Sequence, residues 1–159
     1  MLFMHDEKSS INNVEIRLIK HNELRKLLDL YTHFENGDPC LNDSEQLSSL
    51  WDMIYHDPSL HYIVAVSNEE LISTCTITII KNLTRNARPY GLIENVVTHR
   101  DHRNKGHGNG VLQKAISIAN EKNCYKVMLL TGSKSEETLR FYEHAGFLRG
   151  IKTGFIIKM

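Results

Sequence analysis

The 159-residue chain has little cysteine and little proline, 3 of each. Cys40, Cys75 and Cys124 are odd in number, far apart and in no CxxC pair. That removes a disulfide framework and a structural zinc site, and makes a reducing cytoplasm the expected compartment. Charge of one sign is also lacking, since 19 Lys+Arg balance 19 Asp+Glu. The balance removes the simplest electrostatic case for a nucleic acid or an anionic membrane as partner. No apolar run approaches the roughly 20 residues of a membrane helix. The first ten residues, MLFMHDEKSS, carry charge where a secretion signal needs an unbroken apolar stretch. With 41% hydrophobic and 24% charged residues the composition is that of a folded protein. The length suits one core, so residues 1–12 read as a loose extension and 13–159 as one domain.

Periodicity predicts the elements. Val14–Ile19 alternates apolar and polar residues and reads as a strand. Leu24, Leu27, Leu28 and Tyr31 recur at helical spacing, with Asn22 as the expected cap. Glu35–Pro39 is a turn cluster, and a second helix follows from Ser44, with Leu47, Leu50, Trp51 and Ile54 as its stripe. Strands are expected at Tyr62–Val66, Leu71–Ile80, Leu92–Thr98 and Tyr125–Leu130, and further ones near Phe147–Arg149 and Phe155–Lys158. On Leu71–Ile80 a threonine face suggests one half-exposed side. Gly106–Asn123 and Ser135–His144 are predicted helices, the second closed by Gly146. The expected fold class is α/β (α+β), a mixed, mostly antiparallel sheet of about six or seven strands with about four helices. One late strand–helix–strand unit crosses over to a parallel neighbour.

The most informative stretch is the run from Ile93 to Gly110, a strand that enters a loop with Gly106, Gly108 and Gly110 just where the clearest helix begins. The first amides of a helix lack internal partners and the helix dipole adds to them, so this is an anion site of the kind that takes a pyrophosphate. Arg103 and Lys105 would add cationic donors. A glycine turn that only packs a helix on a sheet remains the other reading, since short glycine patterns are weak. A phosphate loop of the Gly-Lys-Ser/Thr type is absent. A dinucleotide fingerprint belongs after the first strand of a parallel fold, not this late.

Arg103-Asn-Lys-Gly106-His-Gly108, placed between strand and helix, resembles the Arg/Gln-x-x-Gly-x-Gly/Ala motif of the GCN5-related N-acetyltransferases (GNAT). Leu139-Arg-Phe-Tyr142-Glu-His-Ala-Gly146-Phe147 is similar to the family's FY-x-x-x-GF segment, and the two stand in the family's order over about residues 14–159. Within the family, Ile93-Glu-Asn-Val-Val97 and Cys124-Tyr-Lys126 look most like members that act on an amino sugar phosphate. Four positions depart from the pattern. Arg100 stands where many members have Pro, Asn104 where Gly is usual, Ser135 where an Asn often contacts the cofactor, and Asn95 where the sugar enzymes commonly have Asp.

The resemblance implies an acetyl-CoA-dependent N-acetyltransferase that uses a primary amine of a small molecule. It places the pyrophosphate on Arg103, Asn104, Lys105, Gly106, His107, Gly108, Asn109 and Gly110. It runs the pantetheine arm along Val96, Val97 and Thr98, with Ser135 near the cofactor. Glu94 is the candidate to orient or deprotonate the amine, or else a solvated strand glutamate; sharing a face with Leu92 and Val96 would partly desolvate it. Tyr142 is the candidate acid for the CoA thiolate, or else a core tyrosine. Arg85 and Arg88, with Glu94 and Asn95, are the candidate acceptor-binding residues, the arginines being suited to a phosphate or carboxylate. Trp51, Tyr55 and His56 lie where the family often lines the acceptor pocket, although periodicity makes Trp51 a core residue. His99, His102 and His107 cluster without a carboxylate or Cys at ligand spacing, so no metal is expected. No cysteine has a nucleophile's surroundings, so transfer is expected to be direct. A protein or peptide acceptor and a non-catalytic CoA sensor are the alternatives. A homodimer is implied, with Gly154–Met159 as a contributor.

Overall fold

The computed structural model describes residues 13–34, 39 and 41–159. The expected loose extension at 1–12, the turn at Glu35–Pro39 (Pro39 excepted) and Cys40 fall outside the described residues. Five strands form one sheet: β1 (Glu15–Leu18), β2 (Leu60–Ser67), β3 (Glu70–Ile80), β4 (Tyr90–Thr98) and β5 (Val127–Leu129). Their order is that of the chain, with β1 to β4 antiparallel and β5 parallel to β4. The crossover between the parallel pair is the long helix α4 (His107–Glu121). The other helices are α1 (Leu24–Tyr31), α2 (Glu45–Tyr55), the one-turn α3 (Thr84–Ala87) and α5 (Glu136–His144).

The sheet is shorter than expected. Neither Phe147–Arg149 nor Phe155–Lys158 pairs with a strand, so the described residues hold five strands where six or seven were predicted. Apolar runs satisfy a strand pattern, but a strand exists only when a partner takes its backbone groups. α3 lies in what reads as a polar connector and turns through left-handed φ at Arg85, Asn86 and Ala87 (57°, 60° and 57°). The entry to α1 also differs. Asn22 sits inside a 3-10 turn, and the cap comes from Glu23, whose carboxylate accepts from Lys20 N–H at 2.8 Å and pairs with Arg17 at 2.8 Å. Ser44, where the second helix was expected to begin, caps α2 by accepting from Leu47 N–H at 3.1 Å.

Both faces of the sheet are covered. On one, Val111, Leu112, Ala115 and Ala119 of α4 pack on Ile63, Cys75, Ile77 and Ile93. On the other, Leu27 and Leu30 of α1 and Trp51 of α2 pack on Val64, Val66 and Val97. Each fully buried aliphatic side chain of this kind contributes about 1.5–3 kcal/mol. The threonine face of β3 is therefore covered over most of its length, only Thr78 staying half-buried. Thr74 and Thr76 are buried, and their hydroxyls donate to Ile63 O (2.7 Å) and Glu94 O (3.1 Å).

Candidate active site

The loop before α4 is shaped by two residues in the left-handed region, Asn104 (φ 59°) and Gly106 (φ 85°). Gly106 is the residue at which α4 starts, and no side chain caps it. The backbone amides of Asn104 to Asn109 make no hydrogen bond among the described residues, whereas Gly110 N–H is the first to find a helical partner, Gly106 O at 3.0 Å. The two left-handed residues turn the loop so that its free amides gather with those of the first helical turn, which makes an anion nest at a helix N-terminus. Gly108 lets α4 approach the sheet: a Cβ there would stand 3.0 Å from Phe141 Cζ and 3.3 Å from Thr98 Oγ1. The cations beside the nest are held by the backbone. Arg103 donates to Thr98 O (3.2 Å) and His33 O (2.9 Å), and Lys105 donates to Asp101 O (3.0 Å).

The nest adjoins an open strand edge. β5 pairs with β4 only over Gly91–Ile93, so beyond Ile93 the far edge of β4 has no neighbouring strand among the described residues. A bulge lies at the point of parting. Thr74 pairs with Val97 and Thr76 with Glu94, which leaves Asn95 and Val96 opposite Cys75, with Asn95 at φ 54°. His99 N–H donates to Ile72 O at 2.8 Å on the β3 side. Backbone groups alternate along a strand, so Val97 also faces β3 while Val96 and Thr98 present theirs to the open edge. Such an edge is a template for an extended ligand. The bulge also reverses the side chains. Val96 joins the α4-side core with Ile93, and Val97 joins the α1-side core. Glu94 and Val96 thus lie on opposite faces, and Glu94 is exposed, so the partly desolvated carboxylate expected from simple alternation is not found.

Tyr142, on α5, is half-buried with its ring 4.9 Å from Phe141 and 6.4 Å from Phe147. Burial pushes its hydroxyl above the ordinary tyrosine value, and Cys75 and Glu94 push the same way. Tyr142 packs in the α4-side core that holds Cys75 and Val96, and it stays protonated near neutral pH. The motif's glycine serves the end of α5. Gly146 (φ 100°) donates to Glu143 O at 2.9 Å and Phe147 N–H to Tyr142 O at 3.1 Å, which closes the helix. Gln113 Nε2 donates to Ala145 O at 3.0 Å and ties this end to α4. Cys75 is buried, its Sγ set 3.4 Å from Val111 O, and its thiol is pushed up to about 12. Burial also raises Cys124.

The other candidates separate. Arg88 donates to Asn123 O (3.2 Å) and Cys124 O (3.0 Å), which locks the β3–β4 connector to the turn after α4. Arg85, on the left-handed turn, is exposed; its carbonyl accepts Arg88 N–H at 3.3 Å, and its side chain makes no hydrogen bond or ion pair among the described residues. Ser135 caps α5 through Thr138 N–H at 3.4 Å. Trp51 is core, 4% exposed, with Nε1 donating to His21 O at 2.8 Å. Tyr55 and His56 stay at the exposed end of α2. Among the described residues no three His, Cys, Asp or Glu converge as a metal set would. Two neighbours escaped sequence reasoning. Ser73 lies 2.8 Å from Thr98 Oγ1 at the open edge, and His33 meets His99. Both contacts span 25 or more residues and leave no local pattern.

Comparison with known proteins points the same way. Residues 22–147 match the family described as acetyltransferase (GNAT) family. A glucosamine 6-phosphate N-acetyltransferase from Trypanosoma brucei brucei is 27% identical over 149 residues, covering 87% of this chain and 92% of that protein. One from Schizosaccharomyces pombe is 33% identical over 94 residues, 57% of this chain and 82% of that protein. A solved structure from Agrobacterium tumefaciens, described as that of an acetyltransferase, superposes with a TM-score of 0.85 at 40% identity, covering 91% of this chain and 99% of that one.

Proposed function

The chain belongs to the GNAT acetyltransferase family and is an acyltransferase, and from that premise we propose that it moves the acetyl group of acetyl-CoA directly to the primary amine of a small amino sugar phosphate. The observation that carries the proposal is the junction of the unpaired amides at the mouth of α4 with the open edge of β4. A diphosphate fits the first, and an extended amide-bearing arm fits the second.

Acetyl-CoA supplies an acetyl carbon activated by its thioester. The amides of Asn104 to Asn109 hold the diphosphate, and the Val96 and Thr98 backbone lies along the arm. Val96 N–H faces the carbonyl oxygen, where it stabilises the charge that builds up as the amine nitrogen bonds to the carbonyl carbon. Glu94 orients the amine and takes its proton, directly or through water. The C–S bond breaks with its electron pair on sulfur, and Tyr142 gives the thiolate its proton. The raised hydroxyl of Tyr142 suits a donor that must arrive protonated. The buried thiol of Cys75, pushed up to about 12, and the raised Cys124 argue against an acetyl-enzyme.

The acceptor class rests on the names of the two relatives and on Arg85 as a cation left for an anionic substituent, Asn95 lying beside Glu94 at the bulge. Two further features complete the proposal. Cys75 and Cys124 are free thiols, in keeping with a cytoplasmic protein, and no described helix is long and apolar enough to cross a membrane. A homodimer would cover the tail, where Phe155, Ile156 and Ile157 are 93%, 81% and 88% exposed. Thiol release from acetyl-CoA across an amine panel headed by glucosamine 6-phosphate tests the reading. Turnover with that sugar is expected. Thiol release with peptides or polyamines but not the sugar would replace the acceptor, and no release with any amine would remove the activity.

A further inference from the structure

Four imidazoles form a chain that ends at the α4 amides. His33, just past α1, lies against His99 with ring centroids 3.9 Å apart and the planes tilted by 39°. His99 is 5.4 Å from His102, and His102 is 6.2 Å from His107, the first residue of α4. The members differ in their ring nitrogens. His33 Nδ1 accepts Arg100 N–H at 3.3 Å and His99 Nδ1 accepts Asp101 N–H at 3.2 Å, so a proton added there would break a bond to the backbone. The rings of His102 and His107 make no hydrogen bond among the described residues, so protons can be added to them without loss. The charged groups around the chain are Arg100, Arg103, Lys105 and Asp101. Arg103 and Lys105 are fixed on backbone carbonyls, and Asp101 Oδ2 lies 4.0 Å from His99 Nδ1.

Resting on the acetyl-CoA reading above, we propose that His102 and His107 extend the phosphate site, taking up protons as the diphosphate-bearing co-substrate settles on the α4 amides. In the protein alone the surroundings disfavour a proton on His107: partial burial, then His102 and Lys105, hold its imidazole below the ordinary value. Burial, His99 and two arginines act likewise on His33. A diphosphate brought onto the neighbouring amides reverses the local field and favours two cationic rings. His33 and His99, each accepting a backbone N–H at Nδ1, hold the pair in place. Binding and protonation are thereby linked, so the co-substrate binds more tightly as pH falls toward that of histidine titration.

The sign of the proton exchange makes the test specific. The diphosphate does not titrate near neutral pH, and the terminal phosphate of CoA, with a second pKa of about 6, can only release a proton on entering a cationic site. Net uptake must therefore come from the protein. Acetyl-CoA binding is followed by calorimetry at about pH 7 in buffers of different ionisation enthalpy, then repeated at about pH 6.5 and about pH 8. Net proton uptake is expected, with binding a few-fold to about tenfold tighter at the lower pH. The paired substitution His102→Gln and His107→Gln is expected to abolish uptake and flatten the pH dependence, its folding checked by thermal melting. Zero uptake or net release in the parent protein, or uptake kept in the double variant, overturns the inference. If acetyl-CoA does not bind the parent protein at all, the reading of the site falls instead.

Discussion

Single residues separate chemistry from packing at this site. Tyr142 fits both readings, with a ring packed on Phe141 and Phe147 and a hydroxyl whose proton is held chiefly by burial and further by Cys75 and Glu94. Tyr142→Phe keeps the ring and removes the proton. If the hydroxyl protonates the leaving thiolate, kcat should fall by roughly 100-fold with little change in KM for acetyl-CoA, as expected for loss of a general acid. Steady-state kinetics on both substrates decide this, and unchanged kcat would make Tyr142 a packing residue. His61 carries a different strain. It lies on the α4 side of β2, where its Nε2 is buried without a partner among the described residues, and burial then Lys122 lowers its pKa. An unsatisfied buried polar atom costs about 1–3 kcal/mol, so His61→Leu should raise the melting temperature at neutral pH. A lower melting temperature would show that a water or another group satisfies the ring.

The elements show how far sequence reasoning reaches. α4, α5, the strand before α4 and the parallel crossover were all legible, because each rests on a local signal: an apolar stripe, a cap, or a glycine where the helix must start or stop. Gly146 and Ser135 occupy such positions in the structure. The bulge at Asn95 was not legible, because it depends on how two strands 20 residues apart align, and it moves Glu94 and Val96 to opposite faces. The engagement of Arg88 with the α4–β5 turn was hidden for the same reason. One element-level expectation concerns the seating of α4. Gly108→Ala would press a methyl group against the Phe141 ring and Thr98 Oγ1. The helix must then lift from β4 or the ring must shift, at about 1–3 kcal/mol. Because the same helix end presents the free amides, acetyl-CoA should also bind more weakly. Paired thermal melts and acetyl-CoA titrations check this, and a stability loss with unchanged affinity would separate the packing from the amide nest.

At the scale of the molecule, two features reach beyond any one element. The first is the uncovered tail. Removing residues 154–159 should convert a dimer into a monomer, as read by light scattering on a sizing column, if those side chains form the interface. A full-length monomer would refute the dimer. The second is the response to acid. His33, His61 and His107 all have pKa values lowered by folding, so the unfolded chain binds their protons first. Stability is then complete above the ordinary histidine value of 6.5 and declines as pH falls below it. Glu23, lowered by its hydrogen bond from Arg17, adds a separate loss beginning below 4.5. Melting temperature should therefore drop in two stages on acidification, the histidine stage first. Saturating acetyl-CoA should shrink the histidine stage, since phosphates beside His107 reverse the field that disfavours its proton. His61, on a different part of the sheet, should keep its share of the loss. Melts with and without acetyl-CoA across this range separate the two contributions. A first stage that acetyl-CoA leaves untouched would assign it to His33 and His61 and detach His107 from the phosphates.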